Sequence, residues 1–274
     1  MLKQRQNFLD FALQLAQAAA EQIMPRYHNC VVNMKPDGTE VTEADRRAEE
    51  VVREMITKQF PDDSILGEEF GATNGSKTQY QWVIDPLDGT TWFTLGVPTF
   101  GTLIALLKDD EPLIGVIHFP VTGETIYAGK GLGCWFKAND TTPVQVRVGP
   151  KVGLKHAVVS AAGVHSSDIH TSSGQTPYNL TGLIHRAKKF RFCGDCLQHA
   201  LVCRGRIHAA VDTLMQPWDI AAIIPCIEEA GGIATTLSGH RKGIVFGGNL
   251  LTSCDTSLHH EILELLQPNK YQEI

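Results

Sequence analysis

Residues 82–93 read WVIDPLDGTTWF, an apolar run that ends in two carboxylates three positions apart and continues into Gly-Thr-Thr. At the end of a buried strand, Asp85 and Asp88 would repel each other strongly unless protons or cations neutralise them. Glu68 follows another strand-like run, PDDSILGEEF, and Asp219 opens the helical stretch WDIAAIIPCIEEAGG far along the chain. If these four acids converge, a divalent cation answers the repulsion. Oxygen donors without His or Cys select a hard ion, Mg2+ or Mn2+, over zinc. Gly89, Thr90 and Thr91 line up backbone N–H groups where a helix or tight turn begins, and such groups hold anions. Carboxylates for metal and amides for phosphate in one short turn imply metal-assisted chemistry on a phosphate ester. Taken alone, D-x-x-D-G-T also fits a polar turn or a lone calcium loop, and the Glu68-Glu69 pair an exposed acidic turn. The weight lies in their combination.

The elements that must position these acids can be read from periodicity. Phe8, Phe11, Ala12, Leu15, Ala18, Ala19 and Ile23 recur at helical spacing up to Pro25. Thr42, with Asp45 three positions on, announces a second helix whose apolar stripe is Val51, Val52, Met55, Ile56 and Phe60. Between residues 99 and 136 the segments TFGTLIALL, PLIGVIHFP, TGETIYAGK and GLGCWF read as an antiparallel meander. After a polar stretch at 137–151, strands (KHAVVSAAG, KKFRFCG, GRIHAAV, GGIATTL) alternate with helices (DCLQHALVCRG, DIAAIIPCIEEAGG, SLHHEILELL). This order predicts an α/β chain of two halves, residues 1–145 with most of the acids and the phosphate turn, and 146–274 with Asp219 and the substrate pocket.

The 274 residues carry a net charge of −6, 43% hydrophobic and 20% charged residues, a pI near 6.0 and a mean hydropathy of −0.09. That is the composition of an ordinary globular protein, and it argues against a nucleic-acid partner, which would require a basic face. The N-terminal segment is amphipathic and interrupted by polar residues, and no apolar run approaches the ~20 residues that span a bilayer, so a cytoplasmic protein without a membrane partner is expected. Seven scattered cysteines do not form a disulfide framework. Cys193, Cys196 and His199 have a spacing that could supply zinc ligands, but a fourth is lacking nearby, and buried thiols are the expected reading.

The segments GEE (67–69), WVIDPLDGTTWF (82–93) and WDIAAIIPCIEEAGG (218–232), preceded by KPDGTEVTEAD (35–45), resemble the inositol monophosphatase superfamily of metal-dependent, lithium-sensitive phosphatases, in order and approximate spacing. The resemblance runs through nearly the whole chain and implies a layered αβαβα sandwich. It implies that Glu68, Asp85 and the Leu87 carbonyl hold one Mg2+ or Mn2+, that Asp85, Asp88 and Asp219 hold a second, and that Glu68 helps place a third through water. Thr90, with Asp45 behind it, would orient the attacking water, and the amides of Gly89 and Thr90 would receive the phosphate. The implied reaction is in-line attack by metal-activated water, without a covalent intermediate, in a protein that is usually a homodimer.

Other phosphatase chemistries find no footing in the sequence. No Cys is followed six positions later by Arg, no D-x-D occurs, and GETIYAGKG (123–131) lacks P-loop spacing and reads as a hairpin. Within the superfamily, PTFGTLIALL (98–107), GDC (194–196) and QPWDIAA (216–222) look most like the histidinol-phosphatase branch. The family's leaving-group pocket maps onto Gly194, Asp195, Cys196 and Asp212, with Gln216 as a pocket or turn residue. Asp195 could instead cap the helix it opens, and Asp212 is shorter than the usual Glu. Trp92 stands where the family carries a small polar residue. The expected substrate is therefore the small phosphate ester L-histidinol phosphate, with inositol-1-phosphate or a broad range of sugar phosphates as the alternative. A bisphosphate nucleotidase and a non-catalytic binding partner are more distant readings.

Overall fold

In the computed structural model, the described residues are 2–36, 38–75, 79–171 and 178–267. Helix α1 (Leu2–Ile23) ends in a 3-10 turn, Met24–Arg26, that contains Pro25. A small hairpin, β1 (Asn33–Met34) and β2 (Glu40–Val41), leads to α2 (Glu43–Gln59). Thr42 caps α2 as expected: its hydroxyl accepts from the Ala44 N–H at 3.1 Å, and Asp45 accepts from the Thr42 N–H at 2.8 Å.

A first sheet follows from β3 (Ser64–Gly67), β4 (Gly71–Thr73), β5 (Tyr80–Asp88), β6 (Gly101–Lys108), β7 (Glu111–Phe119), β8 (Glu124–Gly129), β9 (Gly133–Ala138) and β10 (Val144–Gln145). Its order is β10-β9-β8-β7-β6-β5-β3-β4, antiparallel except for β3 beside β5. Strands β6 to β9 are the expected meander, and the P-loop look-alike is the β8–β9 hairpin. The stretch after β5 is a short helix, α3 (Thr90–Thr94), entered through Gly89 at φ 86°.

The second sheet holds β11 (Val158–Ala162), β14 (Lys189–Arg191), β15 (Ala209–Asp212), β16 (Ile233–Thr235) and β17 (Leu250–Ser253), in the order β14-β11-β15-β17-β16. A small hairpin, β12 (Ser166–Ser167) with β13 (His170–Thr171), stands apart from it. The helices of this half are α4 (Leu180–Arg186), α5 (Asp195–Cys203), α6 (Pro217–Ala221), α7 (Ile223–Glu229) and α8 (Thr256–Leu266).

Strand alternation divides the interior into three cores. Trp82, Ile84, Ile104, Leu106 and Val116 face α1 and α2. Val83, Leu103, Ala105 and Ile117 face the opposite way, onto α5, α6 and α7, which also cover Ala210, Ala234 and Leu250 of the second sheet. Val159, Ala161, Val211 and Leu251 pack under α4 and α8. The layers run helix, sheet, helix, sheet, helix, the αβαβα sandwich that the resemblance implied.

Some details differ from the sequence reading. DIAAIIPCIEEAGG is two helices rather than one, broken at Ala222, because Pro225 has no N–H for the Ala221 carbonyl four residues back. α4 and β17 were not anticipated; each has at most seven residues, and β17 pairs antiparallel on both sides. Asp195 does not cap α5: Gly194 is the N-cap, and no side-chain bond caps the helix.

Candidate active site

The first problem is how one strand presents two carboxylates on the same side. In regular β structure, residues three apart face opposite ways. Here Asp85 pairs with Leu103 and Asp88 with Gly101, so three residues of β5 span the distance of two on β6, and the register shifts between them. Such a bulge returns Asp88 to the side of Asp85. Pro86 suits it because it offers no ladder N–H; its carbonyl accepts from the Thr102 hydroxyl at 2.8 Å, while the Leu87 N–H turns back to Asp85 Oδ1 at 3.0 Å.

Asp219 arrives from the other half of the chain, oriented by the Gln216 N–H at 2.7 Å from its Oδ2. Carboxylate oxygens of Asp85, Asp88 and Asp219 lie within 4.8 Å of one another, and among the described residues this is the group of His, Cys, Asp or Glu side chains able to hold an ion. Glu68 follows β3, its N–H bonded to the Ile84 carbonyl at 3.2 Å. Cys193, Cys196 and His199 form no such group. Cys196 and His199 are buried, and His199 Nδ1 is engaged by the Thr252 hydroxyl at 2.9 Å.

The electrostatics follow from this crowding. Burial, then the charges of Glu68, Asp88 and Asp219, push Asp85 well above the usual carboxylate range. Asp88 is pushed up in the same way by burial and by Asp195 and Asp219. Burial raises Asp219 to about 7, against the lowering effect of the Gln216 N–H. Acids that resist ionisation together are a cradle for a hard cation. Ligands about 2.1 Å from Mg2+ stand ~3 to ~4.2 Å apart, close to the spacing of these oxygens. The donor set therefore fits Mg2+.

Beside the acids, the Thr90 hydroxyl donates to Asp45 Oδ1 at 3.0 Å, with the Leu87 carbonyl at 3.2 Å. Asp45 is fully buried and also receives the Thr42 hydroxyl at 2.6 Å, so one side chain both starts α2 and restrains Thr90. Gly89 and Thr90 begin α3, where the first N–H groups of a helix have no intrahelical partner.

The residues assigned to the leaving group divide in two. Asp195 and Cys196 reach the acids, and Gly194 packs against Trp92: the Cys196 N–H donates to Asp88 Oδ2 at 2.7 Å, and Asp195 lines a cavity of about 600 Å³ with Gly89, Thr90 and Glu68. Gln216 lies exposed on the rim of an adjoining cavity of about 520 Å³ with Asp219 and Glu68. Asp212 lines neither. It is buried, accepts from the Leu214 N–H at 3.3 Å, and lies 3.5 Å from Gln198 Nε2. A groove of about 510 Å³ between α1 and the meander is of similar size, but Glu21 is its sole carboxylate, so volume alone does not mark the site.

One residue escaped the sequence reading. The Lys35 ammonium lies 2.8 Å from Glu68 Oε1 and 2.7 Å from Glu69 Oε1. Burial would lower its pKa, but the two carboxylates raise it overall. Its signal was the surplus of acids, which calls for a fixed cation, and Lys35 opens the segment KPDGTEVTEAD.

The family model described as the inositol monophosphatase family matches residues 4–271. A histidinol-phosphatase of Chlorobaculum parvum is 38% identical over 247 residues, covering 89% of this chain and 91% of that protein. A histidinol-phosphatase of Mycobacterium tuberculosis is 34% identical over 268 residues, covering 94% and 97%. The solved structure of an inositol monophosphatase from Anabaena (Nostoc) sp. PCC 7120 superimposes with a TM-score of 0.80 at 29% identity, covering 95% of each chain.

Proposed function

Because the chain belongs to the inositol monophosphatase family and is a phosphoric monoester hydrolase, we propose that its substrate is L-histidinol phosphate, cleaved to L-histidinol and phosphate. The observation that carries this choice is the similarity to two histidinol-phosphatases across nearly their full lengths. Asp195 supports it, as an acid in the cavity beside the phosphate turn suits a leaving alcohol that bears an ammonium and an imidazole.

In this reading Mg2+ is held by Glu68, Asp85, the Leu87 carbonyl, Asp88 and Asp219. When bound, it polarises the phosphate and lowers the pKa of water. The protein's own groups do the rest. Thr90, restrained by Asp45, orients the nucleophile, and the raised pKa of Asp45, caused by burial, suits it to taking up a proton. The amides of Gly89 and Thr90 fix the phosphate. Gly194, Asp195 and Cys196 face the leaving group, Gln216 closes the rim, and Asp212 supports the loop behind it through the Leu214 N–H. The halves 1–145 and 146–274 then divide the labour into metal and phosphate on one side, alcohol on the other. A homodimer inhibited by lithium completes the proposal.

The rival is inositol-1-phosphate, favoured by the likeness to the Anabaena structure. Turnover of both esters, fructose-1,6-bisphosphate and adenosine 3',5'-bisphosphate with Mg2+ separates the readings. Histidinol phosphate is expected to have the highest kcat/KM; any other ranking would reject it as the substrate. No turnover of any of the four would favour a binding role.

A further inference from the structure

Trp92 is the residue of the phosphate turn to which neither the acids nor the water gives a task. Its ring fills the space that a side chain at position 194 would need: a Cβ on Gly194 would overlap Trp92 Nε1 and come within 2.8 Å of Cε2. Its indole lies beside the Asp195 carboxylate, where burial raises the pKa of that group and the indole lowers it. Asp195 holds φ 47°, the left-handed region that few non-glycine residues enter without something fixing them there. On the other side, a Cβ at Gly89 would stand 2.8 Å from Asp195 Oδ2 and 3.2 Å from Trp92 Cδ1. Trp92, Asp195 and Gly89 therefore meet on one wall of the 600 Å³ cavity, although Asp195 comes from the other half of the chain.

We propose that Trp92 is a positioning residue that aims Asp195 at the leaving group, so that the site selects phosphate esters whose alcohol carries a protonated nitrogen. The inference rests on the reading of the substrate as histidinol phosphate and names what enforces it. A carboxylate held in one direction forms a charge-assisted hydrogen bond to an ammonium without first having to be ordered. The indole face beside it receives a cation or a flat ring. A neutral polyol gains neither.

The test compares kcat/KM for L-histidinol phosphate with that for glycerol 2-phosphate, a neutral ester, in the wild type, Trp92→Phe, Asp195→Asn and the double variant, all with Mg2+. Trp92→Phe keeps a ring but loses the N–H. The ratio of the two specificity constants is expected to fall ~10-fold in each single variant and little further in the double, because the pair acts as a unit. Equal losses on both esters, or additive losses in the double variant, would overturn the proposal. Trp92→His, which retains a donor, is expected to restore part of the ratio; if it behaves like Phe, the N–H has no role.

Competitive inhibition by L-histidinol, with glycerol 2-phosphate as substrate, separates this inference from the substrate reading. An enzyme that prefers inositol-1-phosphate, yet loses ~10-fold in histidinol affinity on Trp92→Phe, retains the role of Trp92 and loses the substrate assignment. An enzyme that prefers histidinol phosphate with unchanged histidinol inhibition in Trp92→Phe does the reverse.

Discussion

The two walls of the cleft are built differently. On the metal wall, Asp85, Leu87, Asp88, Gly89 and Thr90 come from six consecutive residues, and a single bulge in β5 sets their directions. On the alcohol wall, Asp195 begins α5 and Gln216 precedes α6, and their placement depends on packing against residues remote in sequence, Trp92 above all. This part of the metal wall is a local device, which Asp219 completes from far along the chain. The alcohol wall is assembled throughout from contacts between residues remote in sequence.

Substitutions should expose this contrast, beginning with the largest effect. Asp88→Asn or Asp219→Asn should lower kcat by ~10³-fold or more and abolish its Mg2+ dependence, since each removes a charged ligand. Full Mg2+-dependent turnover by either variant would remove the metal wall from the account. Thr90→Ala is expected to lower kcat by ~10²-fold with little change in KM, the mark of a group acting in the chemical step; a KM effect alone would make it a binding residue.

Asp212→Asn should change kcat/KM for histidinol phosphate by less than ~3-fold, because Asp212 is buried away from both cavities, and burial pushes its carboxyl toward the neutral form that Asn resembles. A tenfold or greater loss would place it in the pocket after all.

The smallest effect is on stability. Asp219 has a folded pKa of about 7, above its unfolded value of 3.8. A raised acid binds its proton more tightly in the folded state, so metal-free protein should lose stability as pH rises from about 4 to about 7. A fall in Tm of a few degrees between pH 5 and pH 8 is expected without metal. Mg2+ should raise Tm more at pH 8 than at pH 5. A flat profile would mean that protons do not neutralise the acids in the absence of metal.

The same contrast explains what the sequence disclosed. Most helices and strands were legible because strand alternation and helical stripes are local patterns, their αβαβα layering came from the family resemblance, and Asp85 and Asp88 were legible because their repulsion lies within one short string. Lys35 and the contacts of Trp92 were not. Lys35 meets Glu68 across 33 positions, and Trp92 meets Gly194 across 102, distances that no periodicity records. The break at Ala222 had a signal in Pro225, which weighs against an unbroken helix, but α4 and β17 are too short to carry a pattern of their own.

That break links the catalytic centre to an unremarked glycine. Gly115, in the middle of β7, has no side chain because the Ala222 carbonyl rests on it, with the Ala222 carbonyl carbon 3.0 Å from where a Cβ would sit. The segment that stops there is the one that carries Asp219 to Asp85 and Asp88. A single methyl group at position 115, in no motif and with no polar atom, would force the Ala222 backbone at the break between α6 and α7 to shift. With Asp219 as a metal ligand, Gly115→Ala is expected to weaken Mg2+ binding although position 115 never touches an ion, and a titration of Mg2+ affinity checks it.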